Sequence, residues 1–103
     1  MAGRIRIRAQ LDGDMTEIKA LMRHPMETGQ RKDKAGEPIP AHYIEEVKVT
    51  HGDNVVMEAY WGAAVSANPF LALRFEGGAA GDEVTVTWLD NKGEKGEGKT
   101  NIR

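Results

Sequence analysis

The chain contains no cysteine. This excludes disulfides, thiolate nucleophiles, iron–sulfur clusters and cysteine-based zinc sites, and it leaves the redox compartment undetermined. Long apolar runs are also missing, since no stretch approaches the roughly 20 residues of a transmembrane helix. The first ten residues, MAGRIRIRAQ, contain no apolar run like the central segment of a signal peptide. We therefore expect the chain to carry no signal peptide of its own.

An excess of charge of one sign is also lacking. The formal net charge is −2 over 103 residues, which predicts no attraction to nucleic acid or to an anionic membrane surface. This length fits a single domain, residues 1–103, with enough chain for one core and too little for two.

What is present is mainly alternation of apolar and polar residues, the period of half-buried strands. Residues 15–23 also fit a helical stripe, but the neighbouring strands favour a strand there. Trp88 alternates with apolar neighbours and is expected in the core, and residues 93–99 are expected to form a mobile loop. Short strands joined by turns rich in Gly, Asp and Asn predict an all-β fold, an immunoglobulin-like antiparallel β-sandwich of about seven strands. The predicted strands cover residues 4–11, 15–23, 41–50, 55–61, 71–75 and 84–88, with a weak terminal strand near 99–102.

The segment from His24 to His42 breaks this pattern. It holds three of the four prolines and two of the three histidines, and no apolar period crosses it. Proline fixes φ and removes a backbone donor. The sequence therefore predicts a long loop without regular structure, and loops of this length are usually functional or disordered.

Few residues suggest chemistry. His24, His42 and Glu27 could bind a metal, but no tight ligand spacing supports such a site, and hydrogen bonds that anchor the loop are the favoured alternative. A site like that of copper–zinc dismutase sandwiches needs more histidines, and non-haem iron sites on such domains add a cysteine. The stretch Asp90–Gly93 predicts a turn, since Lys92 stands where a calcium loop needs a ligand. We predict no catalytic residue, no metal and no cofactor, and hence no enzyme.

Two surface features could instead contact a partner. Arg4, Arg6 and Arg8 form a basic stripe on the first strand, for which charge protection of a sheet edge is favoured over a partner contact. Phe70 directly follows Asn68 and Pro69, and it could equally cap the long loop or anchor a partner.

Four motifs stand out: HPMETGQRKD at 24–33, IPAHYI at 39–44, SANPFL at 66–71 and WLDNKG at 88–93. Together with Gly77-Gly78 and Gly81-Asp82, they closely resemble the SoxZ family, the small subunit of the SoxYZ carrier in bacterial thiosulfate oxidation. Ala67 stands where the family leads us to expect lysine, which puts in doubt any role for a positive charge beside Asn68.

The resemblance implies an immunoglobulin-like sandwich that forms a heterodimer with SoxY, whose C-terminal cysteine arm carries the sulfur intermediate. It also implies transient docking to the Sox cytochrome, the sulfate-releasing hydrolase and the sulfane dehydrogenase. It implies a periplasmic location, reached by export together with SoxY.

On this view the 24–42 segment docks partners or only closes the sandwich. Replacing Met26 and Ile39 by Asp is expected to weaken partner turnover without unfolding the domain. Two alternatives stay open: a metal-binding or redox domain that uses His24 and His42, and a self-assembling sandwich. The expected partner-binding residues are His24, Pro25, Met26, Glu27, Thr28, Gly29, Arg31, Asp33, Ile39, Asn68, Pro69 and Phe70.

Overall fold

The computed structural model describes residues 5–103, and this part of the chain consists of strands, turns and loops. None of the described residues forms a helix that is long and apolar enough to cross a membrane. The strands are β1 (Ile5–Asp12), β2 (Met15–Met22), β3 (Ile44–His51), β4 (Asn54–Tyr60), β5 (Phe70–Glu76), β6 (Glu83–Asp90) and β7 (Lys95–Asn101).

The strands form two antiparallel sheets, which confirms the predicted all-β sandwich of seven strands. A three-stranded sheet has the order β1-β2-β5, and a four-stranded sheet has the order β4-β3-β6-β7. Every second side chain of β2 is buried, from Thr16 to Met22. This period of two belongs to a strand, so the helical alternative for residues 15–23 is excluded. Trp88 lies in the core, as predicted.

The prediction of a mobile loop at residues 93–99 was wrong. β7 pairs with β6 from Glu83 opposite Asn101 to Leu89 opposite Lys95. Its glycines give room to inward side chains, because a Cβ at Gly96 would collide with the indole of Trp88 and one at Gly98 would lie 2.8 Å from Cβ of Ile5. Close approach therefore explains a glycine-rich strand that composition alone assigns to a loop.

The long segment is also more regular than predicted. Glu27 and His42 exchange two backbone hydrogen bonds of 2.6 and 3.0 Å, and Ile39 N–H donates to the carbonyl of Arg31 at 2.8 Å. At the tip the Asp33 carboxylate accepts from the backbone N–H of Ala35 and of Glu37. Residues 27–42 thus form an irregular hairpin, which we call the arm.

The arm leaves one end of the sandwich, which we call the loop end. Here β2 and β6 finish while β3 and β5 begin, as the pairing of Leu21 with Phe70 and of Ile44 with Asp90 requires. The four motifs of the family resemblance therefore start or finish at this end, whereas Gly77-Gly78 and Gly81-Asp82 lie between β5 and β6 at the opposite end. The loop end is the candidate functional site.

Candidate functional site

Asp90, the last residue of β6, is the centre of the loop end. Its Oδ2 accepts from Nε2 of His24 at 3.0 Å and from Nε2 of His42 at 2.7 Å. Its Oδ1 accepts from the backbone N–H of Lys92 and of Glu94, each at 2.9 Å. The side chain is fully buried, and four donors occupy the acceptor positions of the carboxylate.

These bonds keep Asp90 ionised. Burial opposes the charge, but the hydrogen bonds from His24, the Glu94 backbone, His42 and the Lys92 backbone outweigh it and hold the pKa of Asp90 below its usual value. The charge is therefore compensated by donors from both ends of the 24–42 segment and from the β6–β7 turn.

The proton position on His24 follows from its second nitrogen. Nδ1 accepts the backbone N–H of Met26 at 3.1 Å, so the proton lies on Nε2, which donates to Asp90. The ring packs edge-on against Trp88 and against His42, with centroids 5.0 and 4.5 Å apart. His24 is thus oriented from every side by packing and hydrogen bonds.

Asn68 holds the backbone of His24. Its Oδ1 accepts from His24 N–H at 3.1 Å, while its own N–H donates to the His24 carbonyl at 2.9 Å. Asn68 has a φ of +52°, a conformation that asparagine tolerates better than most residues. The SANPFL motif therefore fixes the start of the segment that leads into the arm.

Asn91 performs the same task at the other end of the arm. It exchanges two hydrogen bonds with the Tyr43 backbone, and its Nδ2 donates to the carbonyl of Ala41 at 2.9 Å. The sequence analysis treated Asp90 and Asn91 only as turn residues. Their presence in the WLDNKG motif was the one available signal, since nothing local places them beside His24 and His42.

The structure brings together part of the metal site considered from the sequence. His24, His42 and Asp90 each offer a ligand atom, all within 4.8 Å of one another, and Glu94 lies 3.5 Å from His42 Nε2. Glu27 is not in this group. It forms a two-point ion pair with Arg31 at 2.9 and 2.6 Å, which lowers the pKa of Glu27 and raises that of Arg31.

The chemistry of this donor set fits a hydrogen-bonded cluster better than a metal centre. A ligating histidine normally donates from its second ring nitrogen, which fixes the metal-binding nitrogen as an acceptor. His24 shows the reverse arrangement, because Met26 N–H donates to Nδ1. The alternative that His24 anchors the loop by hydrogen bonds is therefore the one that the geometry supports.

Met26 is not at the surface, although direct contact with a partner would require it to be there. Its side chain is 5% exposed and its sulfur accepts from Ile44 N–H at 3.4 Å. The expectation that Met26→Asp leaves the domain folded is therefore corrected, because the variant would bury a charge. Pro69 is buried as well, and Ile39 is half-buried on the arm.

His24, also predicted to bind partners, is only 4% exposed, so it holds the loop end from inside. The remaining predicted residues lie closer to the surface, and their role in binding stays a prediction. Phe70 stands out because it is 62% exposed at the start of β5. Glu27 and Gly29 are half-buried, whereas Pro25, Thr28, Arg31, Asp33 and Asn68 are exposed.

Comparison with known proteins agrees with these motifs. The family model of the sulphur oxidation protein SoxZ matches residues 5–101, which is nearly the whole chain. No curated protein matches the chain in a sequence search.

Solved structures reproduce the fold at low sequence identity. A superoxide reductase in the oxidised state aligns with a TM-score of 0.68 at 11% identity, covering 100% of this chain and 90% of its own. The reduced superoxide reductase (neelaredoxin) from Archaeoglobus fulgidus gives 0.67 at 15%, covering 98% and 89%. A hypothetical protein from Pyrococcus horikoshii OT3 gives 0.65 at 13%, covering 96% and 87%. These likenesses show a shared fold.

The family match spans all four motifs, and the structure places those motifs together at the loop end. The chain belongs to the SoxZ family of sulphur oxidation proteins.

Proposed function

We propose that this chain is the non-catalytic subunit of a periplasmic two-chain sulfur carrier. It pairs with SoxY, whose cysteine arm carries the sulfur intermediate, and it helps to present that intermediate to the Sox cytochrome, the sulfate-releasing hydrolase and the sulfane dehydrogenase. A chain without cysteine cannot itself carry the sulfur through a thiolate. The carrier role therefore requires a second chain.

One observation carries the proposal: residues of the motifs that resemble the family form the hydrogen bonds that hold the arm in place. Asp90 joins both ends of the 24–42 segment through His24 and His42, and Asn68 and Asn91 fix the adjoining backbone. A hydrogen-bonded base of this kind suits an arm that must keep one shape against several partners, because pre-organisation lowers the entropy lost on binding.

The charges of the arm support reversible docking. Glu27 and Arg31 pair with each other, and the Asp33 carboxylate is engaged by the tip backbone. Lys32 and Lys34 are exposed beside them. Mixed and partly paired charge favours specificity and association rate over very tight binding.

The outer face of the four-stranded sheet is our candidate for the contact with SoxY. Tyr60 is 75% exposed and Val55 is 53% exposed. Both are on the outer side of β4, opposite Glu46 and Thr50. Exposed aromatic and aliphatic groups among polar ones are typical of the centre and rim of an interface.

Reconstituted thiosulfate oxidation tests the proposal. We expect thiosulfate-dependent cytochrome reduction to require this chain together with SoxY. Ile39→Asp on the arm should lower the rate about tenfold, as for loss of one interface anchor, without changing the melting temperature. Ala80→Asp adds the same charge in the exposed turn between β5 and β6, at the opposite end, and should have no effect. Full turnover without this chain would refute the proposal.

A further inference from the structure

A second surface, separate from the arm, is formed by two features that lie far apart in the sequence. Arg6 and Arg8 of the arginine stripe lie on β1, while Arg4 lies outside the described residues. Phe70 begins β5, and β2 lies between β1 and β5. The register places Arg6 opposite Leu21 and Leu21 opposite Phe70. The stripe and the exposed ring therefore share the outer face of the three-stranded sheet, next to the loop end. A shallow depression of about 430 Å³ is lined by Arg6, Ile7, Arg8, Lys19, Leu21 and Phe70.

This outer face is divided by charge. Its far half, away from the loop end, carries Asp12 and Glu17, and Arg74 pairs with both at 3.5 and 3.1 Å. Its near half carries Arg6, Arg8 and Lys19. Among the described residues neither arginine has an ion-pair partner, and Lys19 reaches only Glu17, at 3.7 Å.

Protection of a sheet edge does not account for this basic half. Lys19 belongs to the central strand and stands directly opposite Arg8, and like charges in that position destabilise an antiparallel pair. The edge of β1 is in part already covered, because Arg103 exchanges backbone hydrogen bonds of 3.0 and 3.1 Å with Leu11 and Ala9. The sheet thus retains a repulsive pair that its own stability does not need.

We propose that this surface, Arg6, Arg8, Lys19, Leu21 and Phe70, docks an acidic segment of a transiently bound Sox enzyme. The three cations would meet its carboxylates, and Phe70 beside Leu21 would receive an apolar side chain. Arg6 and Arg8 are about 6.6 Å apart along the strand. Carboxylates on alternate residues of an extended segment have the same spacing, so two of them could face the two arginines. The depression is open and shallow, as a protein contact requires, and is unlike a pocket that encloses a small ligand.

The inference rests on the proposed function, because it takes the transient partners from it. It goes further by assigning the chemistry of their contact. Attraction between a basic surface and an acidic segment is screened by salt. Binding through this surface must therefore weaken as the ionic strength rises.

The test uses the complex of this chain with SoxY. Its binding to the cytochrome, the hydrolase and the dehydrogenase is measured separately at low and at physiological salt. We expect the double variant Arg6→Glu/Arg8→Glu to weaken binding to at least one enzyme by tenfold or more, and to flatten the salt dependence. Phe70→Ser should weaken the same binding without altering the salt dependence. The control is Ala79→Glu/Ala80→Glu, which adds two negative charges in the exposed turn between β5 and β6, away from both proposed contact surfaces, and should leave binding within about twofold.

Three results would overturn the inference. The first is unchanged binding of the Arg6→Glu/Arg8→Glu variant to all three enzymes. The second is loss of the complex with SoxY itself, which would make this surface part of the permanent interface. The third is competition by thiosulfate well beyond that of chloride at equal ionic strength, which would indicate a site for a small anion. Failure of the wild-type chain to bind SoxY would instead refute the proposed function.

Discussion

At the scale of single residues, the account depends on Asp90. A buried carboxylate is costly unless its charge is compensated, and here four donors compensate it. Two come from His24 and His42 at the ends of the 24–42 segment, and two come from the β6–β7 turn. Asp90 therefore couples the base of the arm to the sandwich.

Asp90→Asn should destabilise the domain strongly. The amide offers one acceptor oxygen and one NH₂ group, so whichever way it turns, NH₂ faces donors: the two histidines or the two backbone N–H groups. We expect a loss of about 2–4 kcal/mol in the free energy of unfolding, measured by denaturant titration, as for a broken buried hydrogen-bond network. Asp82→Asn is the matched control, because Asp82 accepts from His51 at 2.7 Å but its side chain is 41% exposed. The free energy of unfolding should fall much less for Asp82→Asn than for Asp90→Asn, because solvent screens an exposed pair.

The pH dependence of stability follows from the direction of the Asp90 shift. The pKa of Asp90 in the folded protein lies below its usual value, which is about 3.9 in an unfolded chain. The ionised carboxylate therefore contributes its full stabilisation above about pH 4 and loses it as the pH falls through the folded pKa. The difference in unfolding free energy between wild type and Asp90→Asn should be large at pH 7 and should narrow below pH 4. A difference that stays constant down to pH 3 would contradict the ionised cluster.

At the scale of elements, the sequence predicted strands well where burial follows a simple period. β1, β2, β5 and β6 alternate along their whole lengths, and the predicted bounds differ from the observed ones by one or two residues at most of their ends. Only the end of β7 was predicted, as a weak strand near 99–102, because β7 has polar residues and glycine in place of apolar ones and shows no clear period. The arm was missed because its two proline-rich sides pair only at isolated bridges, which a search for alternation does not detect.

Gly96→Ala tests the explanation of β7. The added Cβ would collide with the indole of Trp88 in the core, so either β7 or the ring must move. We expect a loss of about 1–3 kcal/mol in the free energy of unfolding, the range for overpacking a core. Gly62→Ala is the control, since a Cβ there meets no atom within 4 Å. Equal stability of the two variants would mean that β7 does not pack against Trp88 as described.

At the scale of the whole molecule, sequence reasoning reached the family but not the construction of the site. The resemblance rested on four motifs separated by up to 66 residues, as His24 and Asp90 are. Only the sandwich topology brings them together, because it places the ends of β2 and β6 beside the starts of β3 and β5. The burial of Met26 was equally out of reach, since no apolar period crosses this segment and Met26 adopts a left-handed φ of +49°.

We propose that this chain works as half of a carrier, with a metal-free hydrogen-bonded loop end. The most direct test is the native mass of the chain purified alone and after co-expression with SoxY, with metal content measured on the same samples. The account predicts a one-to-one complex without stoichiometric metal, and Tyr60→Asp on the four-stranded sheet should reduce its yield. Absence of any complex, or one metal ion per chain that is lost on changing His24 or His42, would contradict the account.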